Sequence, residues 1–228
     1  MKRMVKKYKG VSLAEMLITM IIISIIMLLA ATTLNTLIKV SAAANGRSIS
    51  RDDSEFIIEL IRRSVRNSYT DDVYIYNVSG RSYNTTTKKV VDGATVTGYT
   101  SAVAQGVVGN EIHFRPTGYN RWICIGYFPT TTDNTVGYIV KSSIGDNLTP
   151  SSCFDGNSTS YQQYGMVLNS DDVYAQFLNF QMYKTAENNL RVISSIKMKP
   201  AIMLKQMGNI TPEYFKQTLI TSEKLTWE

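Results

Sequence analysis

Residues 11–38 contain one charged side chain, Glu15, in a run otherwise built from Ile, Leu, Met, Val, Ala and small polar residues. As a helix, about 28 residues reach about 42 Å, enough to cross a bilayer with tilt. No other part of the 228-residue chain resembles it, and the residues beyond it are polar and rich in Tyr, Thr, Ser and Asn. Two chemically different parts are joined end to end, so the apolar one must find its surroundings outside an ordinary globular core.

The formal charge of +6 invites a nucleic-acid reading. Its placement removes that reading. Lys2, Arg3, Lys6, Lys7 and Lys9 stand together ahead of the apolar run with no acid among residues 1–10, and the remainder is close to neutral. No specific nucleic-acid site is identified.

A basic start joined to an apolar stretch fits three kinds of segment. An ordinary secretory signal has an apolar stretch of about 7–15 residues and a small-residue cleavage site after it. Residues 41–44 imitate such a site, but the run is too long. A plain anchor with the cations on the cytoplasmic side satisfies the positive-inside rule. It leaves Glu15 without a purpose, although an ionisable group in a membrane helix costs about 2.5–3.5 kcal/mol at the centre and calls for a partner. In the third reading the leader is cut off ahead of the helix, so that the cations leave and the helix stays.

The string Lys9-Gly10-Val11-Ser12-Leu13-Ala14-Glu15 carries this third reading, because it resembles the processing site of type IV prepilins and type II secretion pseudopilins. There the leader ends in Gly, cleavage occurs directly after it, and Glu is the fifth mature residue. The resemblance implies cleavage between Gly10 and Val11, N-methylation of Val11 and an assembly role for Glu15, whose carboxylate neutralises the amino terminus of a neighbouring subunit. A buried cation and anion are tolerable in an apolar medium when paired. Val11 and Ala14 depart from the usual Phe or Met and Ile or Val. The partners implied are a prepilin peptidase, other pilin or pseudopilin subunits, an inner-membrane assembly platform with a separate ATPase, and membrane lipid before assembly. The implied location is a single-pass cytoplasmic membrane protein with its leader inside and its C-terminal domain outside, then a filament.

The expected division is a leader at 1–10, a membrane or filament-core helix at 11–40, an amphipathic continuation at 41–69 and a mainly β domain at 70–228. No proline precedes Pro116. Asn45-Gly46 is the weak point of the helix and predicts a kink without a stop. Phe56, Ile57, Leu60, Ile61 and Val65 recur at helical spacing and predict one packing stripe. Arg62, Arg63 and Arg66 fall on the polar side and read as a solvated face.

Beyond residue 70, short alternating runs punctuated by Gly, Asn, Asp and Thr predict strands at 72–78, 88–92, 110–115, 121–128, 136–141, 173–183, 190–199 and 215–220. In 121–128, Trp122, Cys124, Gly126 and Phe128 alternate with Ile123, Ile125 and Tyr127, implying a sheet apolar on both sides. The fold class expected is α+β, a long N-terminal helix packed on a C-terminal antiparallel sheet. The segments 83–107 and 142–165 read as exposed loops, suited either to adhesion at a filament tip or to simple solubilisation.

Cys124 and Cys153 are the only cysteines, and a bridge between them outside the cytoplasm would close a loop of about 30 residues, contributing about 3 kcal/mol. Two unpaired buried thiols are the alternative. With one His, a structural zinc site is not expected. His113 sits in an alternating strand without a nearby nucleophile. The pairs Asp71-Asp72 and Asp171-Asp172 stand at strand starts, where Asp ends turns more often than it chelates calcium. No P-loop is present. Neither an enzyme nor a cofactor is expected.

Together these features read as a minor, tip-located pilin of a type IV pilus-like filament, since two irregular loops are easier to accommodate once than in thousands of copies. The alternatives are a type II secretion pseudopilin and a membrane-anchored binding domain that does not polymerise.

Overall fold

The computed structural model describes residues 10, 12–133, 135–145, 153–154, 165–187, 189–201 and 213–222. They form a 54-residue helix, α1 (Leu13–Arg66), and then ten strands. By compactness the chain divides into two units, Met1–Ala43 and Ala44–Glu228. Helical hydrogen bonding continues through Asn45 and Gly46, so no stop occurs there.

The second unit is an antiparallel sheet with the C-terminal part of α1 on one face. The strands are β1 (Ser68–Tyr76), β2 (Ser79–Asn84), β3 (Lys89–Thr97), β4 (Glu111–Pro116), β5 (Arg121–Pro129), β6 (Gly137–Gly145), β7 (Met166–Val167), β8 (Val173–Lys184), β9 (Leu190–Pro200) and β10 (Tyr214–Ser222). The main sheet runs β1-β4-β5-β6-β8-β9-β10, with β7 also on β6, while β2 and β3 form a separate hairpin. The fold is α+β, as the sequence implies.

The helix stripe differs in one respect from its expected membership. Ile57, Ile58, Ile61 and Val65 are buried, continued towards the N-terminus by Gly46, Ser50 and Ser54, whereas Phe56 is 55% exposed and Leu60 is half-buried. The row 46, 50, 54, 58, 61, 65 advances by three or four residues, and Phe56 falls to its side. Each buried Ile or Val contributes about 1.5–3 kcal/mol of burial. They join Ile75, Phe114, Ile125, Ile139, Leu178 and Ile196 in one core. Asp53 ties the helix to the loop before β8, accepting from the Ser170 backbone N–H and hydroxyl, both at 2.8 Å. Arg62 and Arg63 pair with Glu59 on the exposed side.

The opposite face carries a second apolar cluster. Trp122, Cys124 and Phe128 of β5 meet Val140, Ile144, Phe154 and, from the hairpin, Tyr83 and Val90. The alternation in β5 therefore serves two cores. Cys124 and Cys153 are bonded as a disulfide, their Cα atoms 6.3 Å apart, which fastens Phe154 edge-on against Phe128.

The hairpin occupies much of the segment expected to be a loop at 83–107. Ser79-Gly-Arg-Ser-Tyr-Asn reads as turn chemistry but is extended. A bulge between Ser79 and Arg81, with Gly80 at φ 86°, turns the Arg81 side chain inward. There Arg81 Nε donates to Asp92 at 3.0 Å, and Arg81 Nη1 lies 3.5 Å from Glu111, whose other oxygen is 3.1 Å from His113 Nε2. Arg81, Glu111 and His113 are all buried, so this hydrogen-bonded chain of side chains docks the hairpin on the sheet.

Candidate functional site

Physical chemistry alone singles out the start of α1. Gly10 is exposed, and a Cβ built on it would meet nothing within 4 Å. Val11 lies outside the described residues. Ser12 is the N-cap: its hydroxyl accepts from the Glu15 N–H at 3.4 Å, while the Glu15 carboxylate accepts from the Ser12 N–H at 2.9 Å. This reciprocal Ser-x-x-Glu arrangement satisfies two donors that a helix start leaves unpaired. The carboxylate also faces the positive end of the helix dipole. The spacing of Ser12 and Glu15 states this in the sequence, where the resemblance to a processing site overshadows it.

From Ser12 to Val40 every described residue is exposed. Ile18, Ile22, Ile26 and Leu29 are between 50% and 60% exposed, so none of this apolar surface is buried among the described residues. Among the described residues α1 is the one helix long and apolar enough to cross a membrane. The hydroxyls of its apolar stretch are satisfied internally. Thr19 donates to Met16 O, Ser24 to Met20 O, Thr32 and Thr33 to Leu29 O and Thr36 to Thr32 O, at 2.7 to 2.9 Å.

The remaining candidates resolve into structural roles. His113 is fully buried against Tyr76, with ring centroids 4.6 Å apart, and bonds Glu111. Asp71 and Asp72 lie within β1 and not at its start. Asp72 takes the Arg115 guanidinium at 3.0 to 3.2 Å and Asp71 the Lys184 ammonium at 3.0 Å. Asp171 precedes β8. Among the described residues no group of three or more His, Cys, Asp or Glu is placed to hold a metal ion. Burial pushes the Tyr76 hydroxyl up to about 12, with Tyr74 and Glu111 adding to it. It pushes Tyr127 up to about 12 as well, with Asp133 adding. Both remain neutral donors at physiological pH.

Comparison with known families adds one finding. Residues 5–31 match the prokaryotic N-terminal methylation motif. The match starts in the basic leader, includes Gly10, the Ser12–Glu15 box and most of the apolar tract, and supports recognition as a type IV pilin or pseudopilin. No curated protein and no solved structure matches the chain.

Proposed function

We propose that the chain is a minor, tip-located subunit of a type IV pilus-like filament, made as a prepilin and assembled through its N-terminal helix. The observation that carries this is an apolar helix bare on every side that begins, two residues after Gly10, in a box holding a carboxylate. A helix of that kind needs lipid or other helices around it. The motif over residues 5–31 supports a pilin or pseudopilin as the type of subunit.

In this reading residues 1–10 are the leader, 11–40 the membrane and then filament-core helix, 41–69 its amphipathic continuation and 70–228 the displayed domain. Prepilin peptidase cuts after Gly10 and methylates Val11, freeing an amine three positions before the Ala14–Glu15 peptide. Within one chain the Glu15 carboxylate already has a donor in Ser12. A neighbouring subunit's amine replaces that neutral donor with a charged one, and charge-assisted hydrogen bonds are about twice as strong as neutral ones. Glu15 thereby favours the assembled state over the isolated helix. The role is structural and not enzymatic.

The test is intact mass and N-terminal sequencing of the protein from membranes of cells with and without the peptidase. A start at Val11 that disappears without the peptidase is expected, and a start at Met1 or near Ala44 in both overturns the reading. Filaments sheared from cells should contain this chain as a small fraction. A majority share would make it the major subunit.

A further inference from the structure

At the tip of the β2–β3 hairpin, a cavity of about 330 Å³ opens between the hairpin and the β6–β7 edge. That volume is at the lower end of small-molecule sites. Its apolar wall is Tyr83, Tyr138, Met166 and Val167, and its polar rim includes Lys88 and Asp171. The two tyrosine rings are tilted at 44° with centroids 4.6 Å apart, and Tyr174 supports Tyr138 edge-on at 5.9 Å. Tyr83 is buried, so Tyr138, half-buried and braced by both neighbours, is the ring that presents an aromatic surface to the cavity.

The rim is equally specific. Lys88 adopts φ 54°, an uncommon left-handed conformation for Lys, at a turn where the Asn84 side chain accepts from the Thr86 and Thr87 N–H groups. Lys88 and Asp171 are exposed, and neither has an ion-pair partner among the described residues. Burial raises Tyr83, with the Asp171 charge adding to it, and Tyr138 is raised by burial, then by Tyr174, Asp171 and Tyr83. The Asp171 carboxylate therefore lies in the electrostatic reach of both phenol hydroxyls.

We infer that this cavity binds a neutral pyranose sugar, the terminal unit of a glycan, with a carbon–hydrogen face of the ring against Tyr138 and its hydroxyls shared between Asp171, Lys88 and the Tyr138 phenol. The rim carries an ammonium and a carboxylate rather than charge of one sign, so it favours neither an anion nor a cation. Vicinal hydroxyls supply donors to the carboxylate and acceptors to the ammonium at once. The inference goes beyond the filament reading and does not depend on it.

The test uses the full chain in a polyoxyethylene detergent, which carries no sugar, and saturation-transfer NMR with the methyl glycosides of glucose, galactose, mannose and N-acetylglucosamine. Transfer to at least one glycoside is expected, weakened about tenfold by Asp171→Asn, since hydrogen bonds to charged groups are the stronger ones. Tyr138→Phe, which keeps the ring, should weaken it less, and Glu187→Gln, at an exposed carboxylate in the β8–β9 turn, should leave it unchanged. Absence of transfer to all four, transfer unaffected by Asp171→Asn and Tyr138→Phe together, or transfer to phosphocholine alone would each overturn the assignment.

Discussion

The two ends of α1 are built from the same aliphatic residues and have opposite fates. Ile22 and Ile26 are 50% and 58% exposed, as bare as side chains in an isolated helix, while Ile57 and Ile61 show no exposed surface. The difference lies in what else the chain provides. Around Ile57 and Ile61 the sheet presents Ile75, Phe114 and Ile125, and polar residues such as Glu59 and Arg63 mark the side left in solvent. Around Ile22 no polar side is marked. Hydrophobicity identifies a surface to be covered, and the pattern of charges around it tells whether the cover comes from the same chain.

Placing a charge at each end breaks this comparison most sharply. Ile61→Asp buries an unpaired carboxylate, and about 5 kcal/mol or more of destabilisation is expected, enough to abolish the cooperative thermal transition of the second unit. Ile22→Asp should leave that transition within about 0.5 kcal/mol. Its effect should appear in membrane insertion, at about 2.5–3.5 kcal/mol for a central position. Circular dichroism melts and a membrane-fractionation assay separate the two outcomes. Equal melting points for the two variants would remove the distinction.

The next test asks whether the face opposite the helix is held by charge. Glu111→Gln removes the carboxylate between Arg81 and His113, and with Arg81 left short of a buried partner a loss of about 3–5 kcal/mol is expected in urea unfolding. Replacing Glu59, whose partners Arg62 and Arg63 are in contact with solvent, should change the midpoint little.

Alkali reads both faces of the sheet at once, Tyr76 on the hairpin side and Tyr127 on the helix side. A tyrosine near 10 when unfolded and about 12 when folded makes the unfolded chain lose its proton first. Its stabilising contribution is complete below pH 10 and fades as pH rises towards 12. About 1–2 kcal/mol each is expected after discounting for partial solvent contact. Phenolate absorbance should show Tyr76 and Tyr127 among the late-titrating groups, and Tyr76→Phe and Tyr127→Phe should each remove one.

The smallest effect belongs to the cap. Ser12→Ala should cost about 1 kcal/mol of local helix stability, visible as faster amide exchange in the first turn. The melting of the second unit should not move.

Much of this is legible in the sequence because it is local. The apolar tract, the Ser12–Glu15 spacing, the alternation in β5 and most of the strand positions depend on neighbours a few residues apart. The hairpin's first strand is not legible, because Gly80, Ser82 and Asn84 have turn chemistry and only pairing with 89–97 makes them extended. Nor is the burial of Arg81, whose partners lie 11 and 30 residues further along. Phe56 reads as part of the stripe because a run of apolar residues leaves the centre of a helical face undetermined until the surface it meets is known. The cavity at Tyr83 and Tyr138 joins residues 55 apart, and composition suggests only that such segments suit binding.

The satisfied hydroxyls along the exposed helix bear on how readily it changes surroundings. Because Thr19, Ser24, Thr32, Thr33 and Thr36 each donate to their own helix backbone, transfer from acyl chains to a bundle of like helices neither makes nor breaks those bonds. For these groups the exchange is close to thermoneutral and can run in either direction. Direction must then come from elsewhere along the helix, and Glu15 is the acidic side chain at its entrance. Under the proposed function, such a helix is reusable material, and the Glu15 carboxylate is the group that commits it to the filament.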